Sequence, residues 1–157
     1  MKKRNLTDLL IFIVSAELVG VLSALLSGGF SQMYLSLEKP PLSPPGWVFP
    51  VVWSVLYALM GISAYLVYRT EFNPSVRKKG LMAYAIQLFL NFLWSIIYFR
   101  FEMFTLALVD LILLTTTVII MTVLFGKVSK AAAWINIPYI LWLLFATYLN
   151  TGTIVLN

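Results

Sequence analysis

Five long apolar runs dominate this chain, at about 6–26, 46–69, 80–99, 103–125 and 131–151. A helix needs about 20 mostly apolar residues to cross a bilayer. Inside hydrocarbon every backbone N–H and C=O must find a partner within the protein, which leaves helices and closed barrels as spanning structures. Unbroken runs of this length read as helices rather than alternating strands. The expected fold is therefore all-α, an integral membrane bundle of five transmembrane helices forming one domain over residues 1–157.

Composition agrees. Hydrophobic residues make up 61% of the 157 and charged residues 11%, against roughly 25% charged in a soluble domain. The mean hydropathy is +0.93. Lipid is the expected partner and the cell membrane the expected location. Met1-Lys2-Lys3-Arg4 before an apolar run resembles a signal peptide, but the run is longer than a typical h-region and no A-x-A-like site follows it, so an uncleaved first helix is expected.

The breaks carry physical signals. The first connection holds Ser27-Gly28-Gly29 and the run Lys39-Pro40-Pro41-Leu42-Ser43-Pro44-Pro45-Gly46, where prolines without an N–H cannot continue a helix. The second spans 70–79, with Asn73-Pro74 and Arg77-Lys78-Lys79. Arg100-Phe101-Glu102 is a tight third, and 126–130 the fourth. Nine Lys and Arg lie at the N-terminus and in the second and fourth connections, and two, Lys39 and Arg100, on the other side. The positive-inside bias places the N-terminus in the cytoplasm and the C-terminus and first connection outside. Being long and stiffened by prolines, that connection reads as a shaped cap.

The net charge of +5 comes from these short clusters, not from a basic helix face, so nucleic acid is not an expected partner. There is no cysteine and no histidine. That excludes disulfides, thiolate nucleophiles, thiolate metal sites and axial haem histidine. No P-loop, metal cluster or catalytic pair is present, so neither a metal nor a resident cofactor is expected.

Polar residues within the runs are costly in hydrocarbon and usually face the bundle interior. They include Glu17, Gln87, Asn91, Ser95, Asp110, Thr115-Thr116-Thr117, Asn136 and Asn150. From a rise of about 1.5 Å per residue, Glu17, Trp53, Asn91, Trp94, Asp110 and Trp142 all lie in the outer half, about 8–14 Å below the outer helix ends. Gln87, Asn91 and Ser95 recur at intervals of four, as do Trp53 and Tyr57, and Trp134, Pro138, Trp142 and Ala146. Trp47, Trp134, Tyr98 and Tyr148 suit interfacial anchoring. Trp53 and Trp142 sit too deep for that and are open to packing or ligand contact. Asn91 and Gln87 can equally serve as interhelical hydrogen-bond glue. Asp110 can pair with Arg100, reach water or act functionally. The threonine run is expected to bond its own backbone.

Several segments resemble the translocator protein family, also called tryptophan-rich sensory protein or peripheral-type benzodiazepine receptor. These are Leu37-Glu38-Lys39-Pro40, Pro44-Pro45-Gly46-Trp47 and Val52-Trp53-Ser54-Val55-Leu56-Tyr57-Ala58-Leu59-Met60-Gly61. Gln87 to Ser95, Ala107-Leu108-Val109-Asp110, Ile137-Pro138-Tyr139, Leu141-Trp142 and Ala146 to Asn150 continue the match in register. The resemblance implies a bacterial membrane protein that binds porphyrins, protoporphyrin included, and drug-like hydrophobic ligands, as receptor or in tetrapyrrole transport, sensing or regulation. It implies a pocket of Tyr34, Trp53, Tyr57, Asn91, Trp94, Ser95, Asp110, Trp142 and Ala146, and a homodimer. Light-dependent porphyrin breakdown through Trp53 and Trp142 is an alternative that it also suggests. A third, from the residues themselves, is proton-coupled export through Glu17, although no repeat divides the chain. The family's cholesterol pattern needs a basic residue soon after a tyrosine such as Tyr148, and residues 149–153 hold none. Without histidine, metal-free porphyrin suits the chain better than ligated haem.

Overall fold

The computed structural model describes residues 5–28 and 31–157. Lys2, Lys3 and Arg4, part of the charge argument, lie outside the described residues, as does Gly29. Five helical spans are long and apolar enough to cross a membrane. They are α1 (Leu6–Leu26), α3 (Val48–Tyr68), Pro74–Arg100, α5 (Phe104–Val128) and Lys130–Leu156. They run alternately up and down. The 27–47 connection, the turn at 101–103 and the end of the last span share one end, called here the capped end.

Local chemistry moves three expected boundaries. The third span, α4 (Pro74–Ser95), starts six residues before the expected 80. Asn73-Pro74 is a helix start rather than a break: the Asn73 side chain accepts from Val76 N at 3.3 Å, and Pro74 sits where a missing N–H costs nothing. Arg77-Lys78-Lys79 is therefore helical, not loop. At the other end α4 passes into a π turn, Ile96–Arg100, closed by Phe101 N to Ile96 O at 3.2 Å. The fifth span is broken into α6 (Lys130–Ile135) and α7 (Ile137–Leu156), because Pro138 cannot donate back into the preceding turn. The first connection contains a short helix, α2 (Ser31–Ser36), that its glycines and prolines did not suggest.

Around the bundle α1 packs on α3, α3 on α6, α5 on α6 and α7, and α4 on α5, with α1 also touching α4. Helices in lipid approach by small residues and hydrogen bonds. A Cβ on Gly61 of α3 would lie 2.7 Å from the Ile13 Cα and the Phe12 carbonyl of α1. Ser23 Oγ donates to Phe92 O at 2.9 Å, joining α1 to α4. Ser63 Oγ donates to Ala132 O at 2.9 Å, and Asn136 Nδ2 donates to Ser63 Oγ at 2.7 Å, joining α3 to α6 and α7. Leu111, Leu114, Val118, Met121 and Phe125 of α5 form the centre of the core. Thr115, Thr116 and Thr117 donate to Leu111 O, Ile112 O and Leu113 O, each at 2.8 Å, as their position predicts.

Candidate ligand-binding site

Helical spacing brings one aromatic face together at the capped end. α3 presents Phe49, Trp53 and Tyr57 four residues apart, α4 presents Asn91 and Trp94, and α7 presents Tyr139, Trp142 and Ala146. The Trp53 ring is the hub. Its centroid lies 5.8 Å from Tyr57, 6.4 Å from Trp94, 6.3 Å from Tyr139 and 6.4 Å from Trp142.

Beneath this cluster runs a buried polar chain. Tyr57 OH donates to Asn91 Oδ1 at 3.1 Å, and Asn91 Nδ2 donates to Tyr139 OH at 2.8 Å. Tyr139 OH in turn donates to Gln87 Oε1 at 2.8 Å. Each of these groups is removed from lipid, so the chain fixes α3, α4 and α7 relative to one another. Asn91 and Gln87 are thus partnered inside the bundle.

Three cavities lie against the tryptophan cluster. A cleft of about 410 Å³ lies between α1 and α3 and is lined by Glu17, Trp53, Ser54, Tyr57 and Ser95 among others. An apolar groove of about 470 Å³ runs between α3 and α7, with Trp142 and Phe145 on its α7 side. Under the cap a narrow cavity of about 20 Å³ is lined by Tyr34, Lys39, Trp94, Tyr98, Ala146 and Asn150. The last holds about one water. Phe49 and Phe99 each line both the cleft and the cap cavity, and the Phe49 ring lies 5.9 Å from Trp142 on the groove.

The expected site residues are therefore divided. Tyr34, Trp94 and Ala146 face the cap cavity, Trp53, Tyr57 and Ser95 the cleft, and Trp142 the groove. Ser95 parts from Gln87 and Asn91 because eight residues advance a helix about 80° beyond two full turns. Asp110 is buried on α5 and lines none of these cavities; its Oδ2 has no hydrogen-bond partner among the described residues. Arg100 does not pair with it and instead donates from Nη1 to Leu26 O at 3.0 Å. Among the described residues no group of acidic side chains is placed to hold a metal ion.

The cap is tied down. Tyr34 OH donates to Pro44 O at 2.9 Å, and its ring carries the Lys39 ammonium 4.5 Å from the centroid. Burial, with a smaller contribution from Tyr98, raises the Tyr34 hydroxyl above the usual phenol range, which keeps it a donor. Tyr148 OH donates to Pro41 O at 2.8 Å. Asn157 accepts from Glu38 N at 3.0 Å and donates to Glu38 O at 2.9 Å.

Trp47 and Trp134 are exposed, as anchors should be, but Tyr98 is not an anchor. It lies in the π turn, stacks on Trp94 at 5.2 Å and shares a 2.9 Å hydrogen bond with Thr153 Oγ1. Spacing within α3 could have flagged Phe49, and the four-residue step from Tyr139 to Leu143 marks its inward face. Phe99 and Tyr98 depend on the π turn, which no sequence signal announced.

A profile of the TspO/MBR family matches residues 11–156. The chain belongs to the TspO/MBR family. It is 37% identical to "Tryptophan-rich protein TspO" of Chlorobaculum tepidum over 81% of this chain and 80% of that protein. It is 35% identical to "Protein CrtK" of Rhodobacter capsulatus over 98% and 94% of the two chains. The human "Translocator protein" is 40% identical over 76% of this chain and 71% of its own. In this TspO/MBR member three of the five tryptophans, Trp53, Trp94 and Trp142, meet in the cluster at the capped end.

Proposed function

We propose that this TspO/MBR protein is a membrane receptor for a porphyrin of the protoporphyrin class, bound around Trp53 at an outward-facing capped end. The observation that carries the reading is that three clustered tryptophans each line a different cavity, Trp53 the cleft, Trp94 the cap cavity and Trp142 the groove, with Phe49 and Phe99 between cleft and cap cavity. Rotation of those two rings would merge spaces that singly fall at the lower end of the ligand-pocket range or below it, about 300–1,000 Å³. Flat aromatic walls suit a macrocycle, which stacks or meets ring edges. Lys39 and Tyr34 at the mouth suit its anionic carboxylates. Tyr57, Ser95 and Ala146 shape the walls, and Asn91 and Asp110, which line none of the three cavities, contribute from behind them rather than by contact. With no histidine in the chain the ligand is held without an axial histidine, as cargo or signal rather than as a resident cofactor.

The test is quenching of tryptophan fluorescence by protoporphyrin in reconstituted protein. Trp53→Phe with Trp142→Phe is expected to weaken affinity about tenfold or more, since aromatic contacts contribute about 0.5–1.5 kcal/mol each. Unchanged affinity removes this pocket.

The 6.4 Å edge-on contact of Trp53 with Trp142 supports a second reading, light-driven oxidation of the bound porphyrin. Loss of the porphyrin absorbance band under light and oxygen should then exceed that in protein-free and Trp→Phe controls. Equal decay in all three rejects it. A homodimer remains part of the proposal, and the lipid-exposed face of α1 (Leu10, Val14, Leu18, Leu25) is a surface that a second copy could cover.

A further inference from the structure

Glu17 sits near the middle of α1, nine residues before its capped end at Leu26. That is about 13–14 Å along the helix. Its side chain is half-buried and lines the cleft between α1 and α3. It makes no hydrogen bond or ion pair with any other described residue. Among the described residues no lysine or arginine lines the cleft; of the basic side chains at that end, Lys39 lies over the Tyr34 ring and Arg100 is committed to Leu26 O. A carboxylate at membrane depth is expensive and is ordinarily paired.

The rest of the cleft has the chemistry of a cation site. Trp53 and Tyr57 line it with rings 5.8 Å apart. Aromatic faces attract cations, most strongly away from water. Val21, Leu25 and Ser54 on its rim are exposed, so it opens sideways to lipid. Gly20 of α1 lies directly against the Tyr57 ring and leaves no room for a side chain that would close it. At about 410 Å³ the cleft is large enough for a compact organic ion.

We propose that the α1–α3 cleft binds a lipophilic monocation, an amine or onium ion with apolar arms, through the Glu17 carboxylate and the faces of Trp53 and Tyr57. Such a ligand enters from the bilayer rather than under the cap. It is opposite in charge to a porphyrin, whose carboxylates meet Lys39 at the other side of Phe49. The site does not depend on porphyrin binding, and its failure would leave that reading intact.

Tetraphenylphosphonium and tetraphenylborate have nearly the same shape and opposite charge, which isolates the role of Glu17. The full chain in phosphatidylcholine nanodiscs is titrated with each, read by tryptophan quenching, and partitioning into empty nanodiscs is subtracted. Saturable binding of the phosphonium is expected to be at least about tenfold tighter than that of the borate. Glu17→Gln should abolish that preference, because it removes the charge that the cation would pair with. Glu17→Asp should restore most of it, and helix content and thermal midpoint check that each variant is folded. Equal saturable binding of the two ions, or phosphonium affinity unchanged in folded Glu17→Gln, overturns the proposal.

Discussion

The hydroxyl of Tyr139 on α7 donates to the Gln87 side-chain oxygen on α4 at 2.8 Å, deep in the bundle where neither group meets lipid. The same hydroxyl accepts from Asn91. Tyr139→Phe therefore orphans both a donor and an acceptor while leaving the ring in place. The expected cost is about 1–3 kcal/mol, the range for buried polar groups left unpaired. Tyr57→Phe removes a single 3.1 Å bond to Asn91 and should cost less, about 0.6 kcal/mol, the average for interhelical bonds in membranes. Thermal unfolding in detergent compares the two variants; equal losses would mean the network does not act through Tyr139.

Gly61 makes the α1–α3 contact possible. A Cβ there meets the Ile13 backbone at 2.7 Å, and backbone cannot rotate away as a side chain can. Gly61→Ala should push α1 off α3 and lower stability by about 1–3 kcal/mol. Gly126 on α5 is the control, since a Cβ there meets only Ala133 Cβ at 3.4 Å. Gly126→Ala should be neutral or stabilise slightly, by up to about 1 kcal/mol, because alanine suits a helix better. Side-by-side melting curves read both signs.

The cap is held by contacts from α7. Tyr148 binds Pro41, Asn157 clasps both backbone groups of Glu38, and Gly152 lies so close that an added Cβ would sit 2.5 Å from Pro40. Tyr148→Phe combined with Asn157→Ala removes three hydrogen bonds from the cap and one, Asn157 Nδ2 to Thr153 O, at the end of α7, and leaves α5 untouched. Hydrogen exchange over residues 37–47 should accelerate, while protection in α5 stays as it was. Equal acceleration in α5 would show that the clasp supports the whole bundle instead.

Five apolar runs were enough to read the number and order of the spans, because hydrocarbon leaves the backbone few options. Their edges were less legible. Arg77-Lys78-Lys79 looks like loop by charge, yet Asn73 and Pro74 start a helix before it. The aromatic hub was also legible: Trp53, Tyr57, Trp94 and Trp142 converge as their spacing and depth suggest. What spacing could not give was the partition into three cavities. The cleft and the cap cavity are parted by the side chains of Phe49 and Phe99 and by a π turn at Ile96–Arg100, which turns Tyr98 inward against Trp94. Asp110 has the depth of a site residue but faces the interior of the bundle, and depth alone does not report the face.

Lys39 is a basic side chain on the cap cavity, placed over the Tyr34 ring. It is exposed, so its attraction for a ligand carboxylate is moderated by water and salt. Exposed ion pairs contribute about 0.2–1 kcal/mol. Lys39→Gln should therefore weaken protoporphyrin binding only about two- to fivefold, and less in high salt. Protoporphyrin dimethyl ester, which lacks the charges, should bind the variant and the unaltered protein alike. An equal loss for acid and ester would assign Lys39 to shaping the cap rather than meeting the carboxylates.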